Sequence, residues 1–335
     1  MGQDNKFDIS VIICTYNRCE SLNDLLGCFL SQQTDGQFDY EIIVIDNNSK
    51  DDTKRLIESF IPKFNGKLRY LYEPKQGKPY ALNLGIKEAR GQVIAFTDDD
   101  CLLEKNYINN IYKDFKNYAS GIGLMGGKIS PHWVDGSQPK LLDKFYPKLR
   151  MEEIEWSGDD KPKWLNEFFL GPLGILNYGE NFMRIDFKDP KLFYGANLII
   201  KREVLERHGY FDTNKILGQD SEICARLLKA GVKGLYNPQL NIYHKIKIAR
   251  GRPSHYYRWH YIRGKHEYKE EGQVKKLFYP LGIPMYLIRI SLGLFIKSFF
   301  VQSVYQKILY RSQTSYNVGQ MVEIAKRNLI IARPL

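Results

Sequence analysis

Val93-Ile94-Ala95-Phe96-Thr97-Asp98-Asp99-Asp100 carries the strongest local signal in this chain. Its apolar run, opened by Gly91, reads as a buried strand, because a strand covered on both faces carries continuous rather than alternating apolar residues. Three carboxylates follow at the carboxyl end of that strand, with no basic residue beside them. Such crowding is costly unless a cation or hydrogen-bond donors compensate it. Hard oxygen ligands suit Mg²⁺ or Mn²⁺, which bind through one or two carboxylates plus substrate phosphates. A solvated acidic turn capping a helix that begins near Glu104 accounts for the triplet as well.

Working outward, the first hundred residues alternate apolar runs with helical patterns. Ile9-Ser10-Val11-Ile12-Ile13-Cys14 reads as a strand, and Leu22, Leu25, Leu26, Phe29 and Leu30 then recur at helical spacing over 21–31. Glu41-Ile42-Ile43-Val44-Ile45-Asp46 is a second buried strand, followed by a capping-box-like start at Ser49 and Asp52 to a helix ending at Phe60. Residues 68–72 give a third strand and 79–89 a third helix, with Pro79 in its first turn. Strands alternating with helices argue an α/β fold, a Rossmann-like, mostly parallel sheet with helices on both faces.

Ligands of such sheets bind beyond the carboxyl ends of the strands. There the chain places Thr15-Tyr16-Asn17-Arg18, Asp46-Asn47-Asn48-Ser49, Glu73-Pro74-Lys75-Gln76-Gly77-Lys78 and the acidic triplet. Neither a dinucleotide fingerprint nor a P-loop occurs, so any nucleotide bound here is expected to be held by side chains and not by a glycine nest.

Past Gly121 the pattern loosens into a proline- and aromatic-rich stretch up to Asp189, expected as loops with scattered short elements. Order returns with a strand over 192–200, a helix over 202–208 and a helix opened by Gly218-Gln219-Asp220-Ser221-Glu222 and closed near Gly231. Short strands are expected over 234–236 and 240–243.

The formal charge of +11 is unevenly spread: between positions 244 and 276 ten Lys and Arg are opposed only by Glu267, Glu270 and Glu271. An excess of this kind meets anionic lipid, nucleic acid or substrate phosphates, but it carries no recognised nucleic-acid module, and no nucleic-acid partner is expected. Five cysteines without paired metal-ligand spacing, and an amino terminus without an apolar signal core, fit free thiols in a reducing cytosol. Residues 277–304 are strongly apolar but interrupted by Arg289 and Lys297, with an uncharged run too short to span a bilayer. The expectation is a helical, membrane-proximal extension over 246–335, with 277–304 lying on an anionic membrane surface, or else a pair of core helices.

The blocks Ser10-Val11-Ile12-Ile13-Cys14-Thr15-Tyr16-Asn17-Arg18, Val44-Ile45-Asp46-Asn47-Asn48-Ser49 and Phe96-Thr97-Asp98-Asp99-Asp100, in this order and at these spacings, resemble the family-two nucleotide-sugar glycosyltransferases of the GT-A fold. Tyr194-Gly195-Ala196-Asn197-Leu198 and Gly218-Gln219-Asp220-Ser221-Glu222, with Arg226 and Gly231, resemble that family's acceptor side. The resemblance covers roughly residues 8–245 and implies a glycosyltransferase domain over 1–245. Within it, about 1–100 bind the nucleotide-sugar donor and about 101–245 carry the acceptor side and catalytic base.

Residue by residue, the resemblance implies that Thr15, Tyr16, Asn17, Arg18, Asp46, Asn48, Gly77, Lys78, Asn83, Asp98 and Asp99 serve the donor. Asp46 would hydrogen-bond the base and Asp98 face the ribose. Asp100, with His244, would hold Mn²⁺ or Mg²⁺. Asp220 matches the catalytic base, although Gln219 stands where the family has a glutamate. Asn197, Glu222 and Trp164 fall on the acceptor side.

The implied activity is an inverting transfer from a nucleotide-sugar, UDP-linked by resemblance, to a glycan or lipid-linked acceptor on the cytoplasmic face of a membrane. The alternatives are a non-catalytic nucleotide- or glycan-binding protein and a nucleotidyltransferase, whose usual early glycine-rich loop is not found here. From the residues alone, Asp220 is equally an acidic residue favoured by a helix dipole, and Glu222 with Arg226 a surface ion pair.

Overall fold

The computed structural model describes residues 7–118, 121–135, 170–215, 217–267, 285–301 and 304–331. Two compact units divide the chain: Met1–His132 with Gly174–Lys245, and Trp133–Leu173 with Ile246–Leu335.

The first unit is built on a nine-stranded sheet. Its opening half is β1 (Ile9–Thr15), α1 (Cys19–Leu30), β2 (Tyr40–Asp46), α2 (Thr53–Phe60), β3 (Leu68–Tyr72), α3 (Lys78–Glu88) and β4 (Val93–Asp98). These strands are parallel, with Ile12 opposite Ile43 on one side and Phe96 on the other. The continuous apolar runs are explained by burial on both faces: Ile42, Ile43, Val44 and Ile45 have no exposed surface. Leu22, Leu25, Leu26 and Phe29 are the buried stripe of α1, at the spacing expected of one helix face. Glu41 is fully buried among them, and its carboxylate accepts from Ser10 Oγ (2.7 Å), the Arg90 amide (2.6 Å) and Arg69 Nη1 (3.0 Å). A buried acid with that many donors is tolerated.

The second half adds β5 (Cys101–Leu103), α4 (Tyr107–Asn117), β6 (Ile122–Trp133), β7 (Met183–Ile185), β8 (Leu198–Lys201), α5 (Arg202–His208), α6 (Gln219–Lys229) and β9 (Lys233–Ile246). The order across the sheet is β3-β2-β1-β4-β8-β6-β9-β5, with β7 beside β9. The β4–β8, β6–β8, β5–β9 and β7–β9 pairs are antiparallel.

Here the structure corrects the sequence reading in four places. The triplet leads into β5, not directly into a helix. The strand expected over 192–200 is confined to β8, because Gly195–Asn197 form a 3-10 turn. The two short strands near 240 are one strand, β9. Most consequentially, β6 lies inside the stretch expected as loops. Gly126, Gly127 and Pro131 disguise it. A Cβ at Gly127 would lie 1.9 Å from the Leu240 carbonyl oxygen, so the glycine marks a close approach of β9, not a turn.

In the second unit the described helices are α7 (Pro253–Glu267), α8 (Met285–Phe300) and α9 (Val304–Ile331). α9 packs along both α7 and α8. Gly264 of α7 and Gly319 of α9 permit the closest approach, since a Cβ on either would meet the facing helix backbone at about 2 Å. Among the described residues no helix is long and apolar enough to cross a membrane.

Candidate functional site

Parallel strands end at one edge, and register makes that edge specific: Thr15 pairs with Asp46, Asp46 with Tyr72, and Cys14 with Asp98. The loops beyond these ends are laced together. Asn17, at φ 51°, donates its backbone N–H to Ser49 Oγ (2.9 Å), while its side-chain oxygen accepts from the Lys50 amide (2.7 Å). Asn48, at φ 68°, accepts from the Tyr72 hydroxyl and from Lys50 Nζ. Asparagine tolerates this left-handed backbone better than most side chains. Asp46 accepts from the Ser49 amide (2.8 Å) and the Tyr70 hydroxyl (3.2 Å).

Asn47 was not singled out from sequence, yet it organises the next loop. Its amide donates to the Glu73 and Lys75 carbonyls and accepts from the Gly77 N–H at 2.8 Å. Its signal was its place between Asp46 and Asn48.

Each carboxylate of the triplet has its own partners. Asp98 is paired with Lys78 at the start of α3. Asp99 is buried, accepts from Thr15 Oγ1 at 2.7 Å and meets Arg18 at 3.3 Å. Burial pushes its carboxyl up to about 6, Asp100 and Asp98 adding to the shift while Arg18 and Thr15 oppose it. Asp100 is also buried; its Oδ1 lies 3.4 Å from His244 Nε2 and its Oδ2 contacts Arg18. Burial raises Asp100, but His244 and Arg18 outweigh it and hold the carboxyl well below the usual range. Nearby, burial pushes the Cys14 thiol up to about 12, which leaves it inert as a nucleophile near neutral pH.

His244 reaches Asp100 because β9 pairs with β5, Cys101 opposite His244. Gly174, at φ +68°, packs on its ring: a Cβ there would sit 2.6 Å from the imidazole Cε1. That glycine is the second feature the sequence hid, lying seventy positions away.

A carboxylate oxygen and an imidazole nitrogen facing one another suit Mn²⁺ and are compatible with Mg²⁺. Among the described residues no three His, Cys, Asp or Glu side chains converge on a cation site. Asp100 and His244 supply two protein ligands, so a cation here would take its remaining positions from substrate phosphates and water.

Across the edge, α6 begins after Gly218, and Asp220 and Glu222 occupy its first turn. Asp220 accepts from the Gly195 amide and the Ser221 amide, both at 2.9 Å. The space over the Gly195 Cα is flanked by Lys78 Nζ and the Asp220 carboxylate, each under 4 Å from where a Cβ would stand. Lys78 thus lies between Asp98 and Asp220. Burial works against its charge, but Asp98 above all, with smaller help from Cys14 and Asp220, holds its ammonium above the ordinary lysine value.

Three of the expected site residues have structural partners. Asn197 has no exposed surface; its amide accepts from the Tyr107 hydroxyl and donates to the Lys128 and Leu240 carbonyls. It pins β6 and β9. Asn83 closes both halves of its amide on the Phe211 backbone, at 2.9 and 3.0 Å, tying α3 to the chain after α5. Glu222 is engaged by Arg226 through two contacts, 2.7 and 3.3 Å, while that arginine also donates to the Gly209 and Tyr210 carbonyls. Trp164 lies outside the described residues.

Comparison with known proteins identifies the family. The chain belongs to glycosyl transferase family 2, whose sequence model matches residues 10–209. It is 23% identical over 248 residues to a glucosyl-dolichyl phosphate glucuronosyltransferase of Haloferax volcanii, covering 71% of this chain and 69% of that one. It is 25% identical over 238 residues to the chondroitin synthase of Escherichia coli, covering 67% of this chain. That match spans only 32% of the synthase's length. Among solved structures, a mannosyltransferase of Pyrobaculum calidifontis in complex with GDP-Man and Mn²⁺ superposes with a TM-score of 0.55 at 19% identity, covering 98% of this chain and 88% of that one. The architecture is the GT-A fold of these enzymes.

Proposed function

We propose that this glycosyltransferase moves a sugar from a nucleotide-sugar, UDP-linked in the first instance, to a hydroxyl of a glycan or lipid-linked acceptor, with inversion at the anomeric carbon. The observation that carries the reading is Lys78, which lies against Asp98 on one side and beside Asp220 on the other. A donor-side carboxylate and a candidate base thereby share one cation at one sheet edge.

In this reading Asp46, Asn48, Tyr16 and the Gly77–Lys78 turn receive the nucleoside, and Asp98 and Asp99 border the ribose and diphosphate. Asp100 and His244 would hold Mn²⁺ or Mg²⁺, which when bound supplies Lewis-acid stabilisation of the departing diphosphate. Arg18 and Lys78 add fixed positive charge beside it. Asp220 takes the proton as the acceptor hydroxyl attacks. The bond from the acceptor oxygen to the anomeric carbon forms, the bond to the diphosphate oxygen breaks, and the nucleoside diphosphate leaves. A single base on the face opposite the leaving group gives inversion. The Haloferax relative is named for transfer on a dolichyl phosphate and the E. coli relative for chondroitin synthesis, which supports both acceptor classes.

The test is transfer and binding measured on the same variants. Asp220→Asn keeps shape and hydrogen bonding but cannot accept the proton, so transfer should fall by about 10²–10⁴-fold while UDP affinity holds. Near wild-type transfer would place the base elsewhere. UDP should bind much more tightly with Mn²⁺ or Mg²⁺ than with EDTA, and Asp100→Ala should abolish that difference. Equal calorimetric affinity in both conditions for the wild type removes the metal from the reading.

A further inference from the structure

Helix α8 buries a mixed stripe and leaves most of its large apolar side chains outside. Inward lie Leu287, Ser291 and Ser298, with Leu294 half-buried, while Ile290, Leu292, Phe295, Ile296, Phe299 and Phe300 are exposed. The exposed rings and branches are 44–82% accessible, Phe300 the most. The buried serines are accommodated by hydrogen bonds. Ser291 Oγ donates to the Leu287 carbonyl at 2.6 Å, and Ser298 Oγ donates to Phe295 and accepts from Arg311 Nε at 3.2 Å. The two serine-to-carbonyl bonds lie within the helix; its orientation is fixed from α9, since rotating α8 to bury the phenylalanines would break the Arg311–Ser298 bond and the bond from Thr314 Oγ1 to the Ser291 carbonyl (3.4 Å). An exposed apolar face of this size, on a helix packed through Leu287, Ser291, Leu294 and Ser298, marks an interaction surface.

Charge says what covers it. From Gly272 to Val322 the chain contains no Asp or Glu but carries Lys275, Lys276, Arg289, Lys297, Lys307 and Arg311. Arg289 and Lys297 are exposed on α8 itself, beside the apolar side chains. Phe295 also lines a cavity of about 400 Å³ whose other walls include Tyr257, Tyr261 and Arg311. Arg311 lies over the Phe299 ring, 5.2 Å from its centre. Apolar rings for the acyl boundary, with arginine, lysine and tyrosine tips at headgroup depth, are the anatomy of a helix lying in a membrane interface.

We propose that the outward face of α8 docks this protein on an anionic lipid bilayer, the helix lying along the surface. This narrows the membrane contact expected over 277–304 to six apolar side chains and two flanking cations. It stands apart from the transfer reaction, because its readout needs no donor and no acceptor.

The experiment is co-sedimentation of the full chain with vesicles of phosphatidylcholine alone or mixed with phosphatidylglycerol. Wild type should sediment with the anionic vesicles and be released by salt. Phe299→Ser with Phe300→Ser should weaken that binding on the order of 100-fold, and Arg289→Ala with Lys297→Ala on the order of tenfold. Both pairs are solvent-facing, so circular dichroism and UDP binding should match wild type. Wild type that ignores anionic vesicles, or phenylalanine variants that sediment undiminished, would overturn the proposal. So would light scattering showing that the phenylalanine pair turns a dimer into a monomer with no change in vesicle binding, which would assign the face to a second copy.

Discussion

The α/β unit and the C-terminal helices handle apolar and polar residues in opposite ways. In β2 and α1 the apolar side chains the pattern assigns to the core are inside except Leu30, which is 45% exposed, and in this unit the buried carboxylates Glu41 and Asp99 are each met by two or more donors. In α8 the serines are inside and the phenylalanines outside. Hydrophobicity by itself therefore does not say which way a helix faces. The distribution of hydrogen-bonding partners does, because a buried hydroxyl must be satisfied whereas an exposed ring must only find something to cover it.

That contrast can be broken at its strongest point first. Leu26→Ala in α1 opens a cavity in the sheet's packing and should cost about 2–5 kcal/mol of unfolding free energy. Urea denaturation showing less than half a kilocalorie would mean that α1 is not part of a close-packed core.

Asp114 of α4 sharpens the comparison for a buried charge. It is largely buried against Asn237 of β9, and burial pushes its carboxyl up to about 6 even though Asn237 donates to it. A raised acid favours folding only while it is protonated. Between about pH 4 and 6 the native chain keeps a proton that the unfolded chain has lost, so this group's contribution declines as pH rises through that window. Asp114→Asn removes the slope. Relative to wild type, its unfolding free energy should improve by at most about 3 kcal/mol on going from pH 4 to pH 7. An unchanged difference at the two pH values would show that Asp114 titrates normally.

The smallest effect belongs to α8. Leu292→Ala removes a large apolar side chain that is 57% exposed, and stability should stay within about 0.5 kcal/mol of wild type. A loss comparable to that at Leu26 would mean that the outward face is packed after all.

The sequence was most legible where its chemistry is local. Strands β1 to β4, the helices between them and the acidic triplet follow from runs and periods inside short windows. Legibility failed where a residue answers to a distant one. Gly126 and Gly127 look like turn formers until the Phe193 ring and the Leu240 carbonyl are seen in the space a Cβ would need. Asn197 looks like a site residue by position, yet its amide is consumed by Tyr107, Lys128 and Leu240. Gly174 carries no signal at all until β9 brings His244 against it. The membership of Asp220 in the site came from resemblance, whereas its link to the triplet through Lys78 is visible only in three dimensions.

The lacing of the strand-end loops has a consequence for ligand entropy. Fixing the backbone of one residue costs on the order of 1–2 kcal/mol, and a mobile binding loop incurs that cost each time it closes on a ligand. Here Asn17 holds Ser49 and Lys50, while Asn47 holds the segment from Glu73 to Gly77. Three loops are thus ordered when the chain folds, by two asparagines, Asn17 through its backbone N–H and side chain and Asn47 through its side chain. That ordering is completed when the chain folds, so in the proposed transfer the edge assigned to the donor would meet it already ordered.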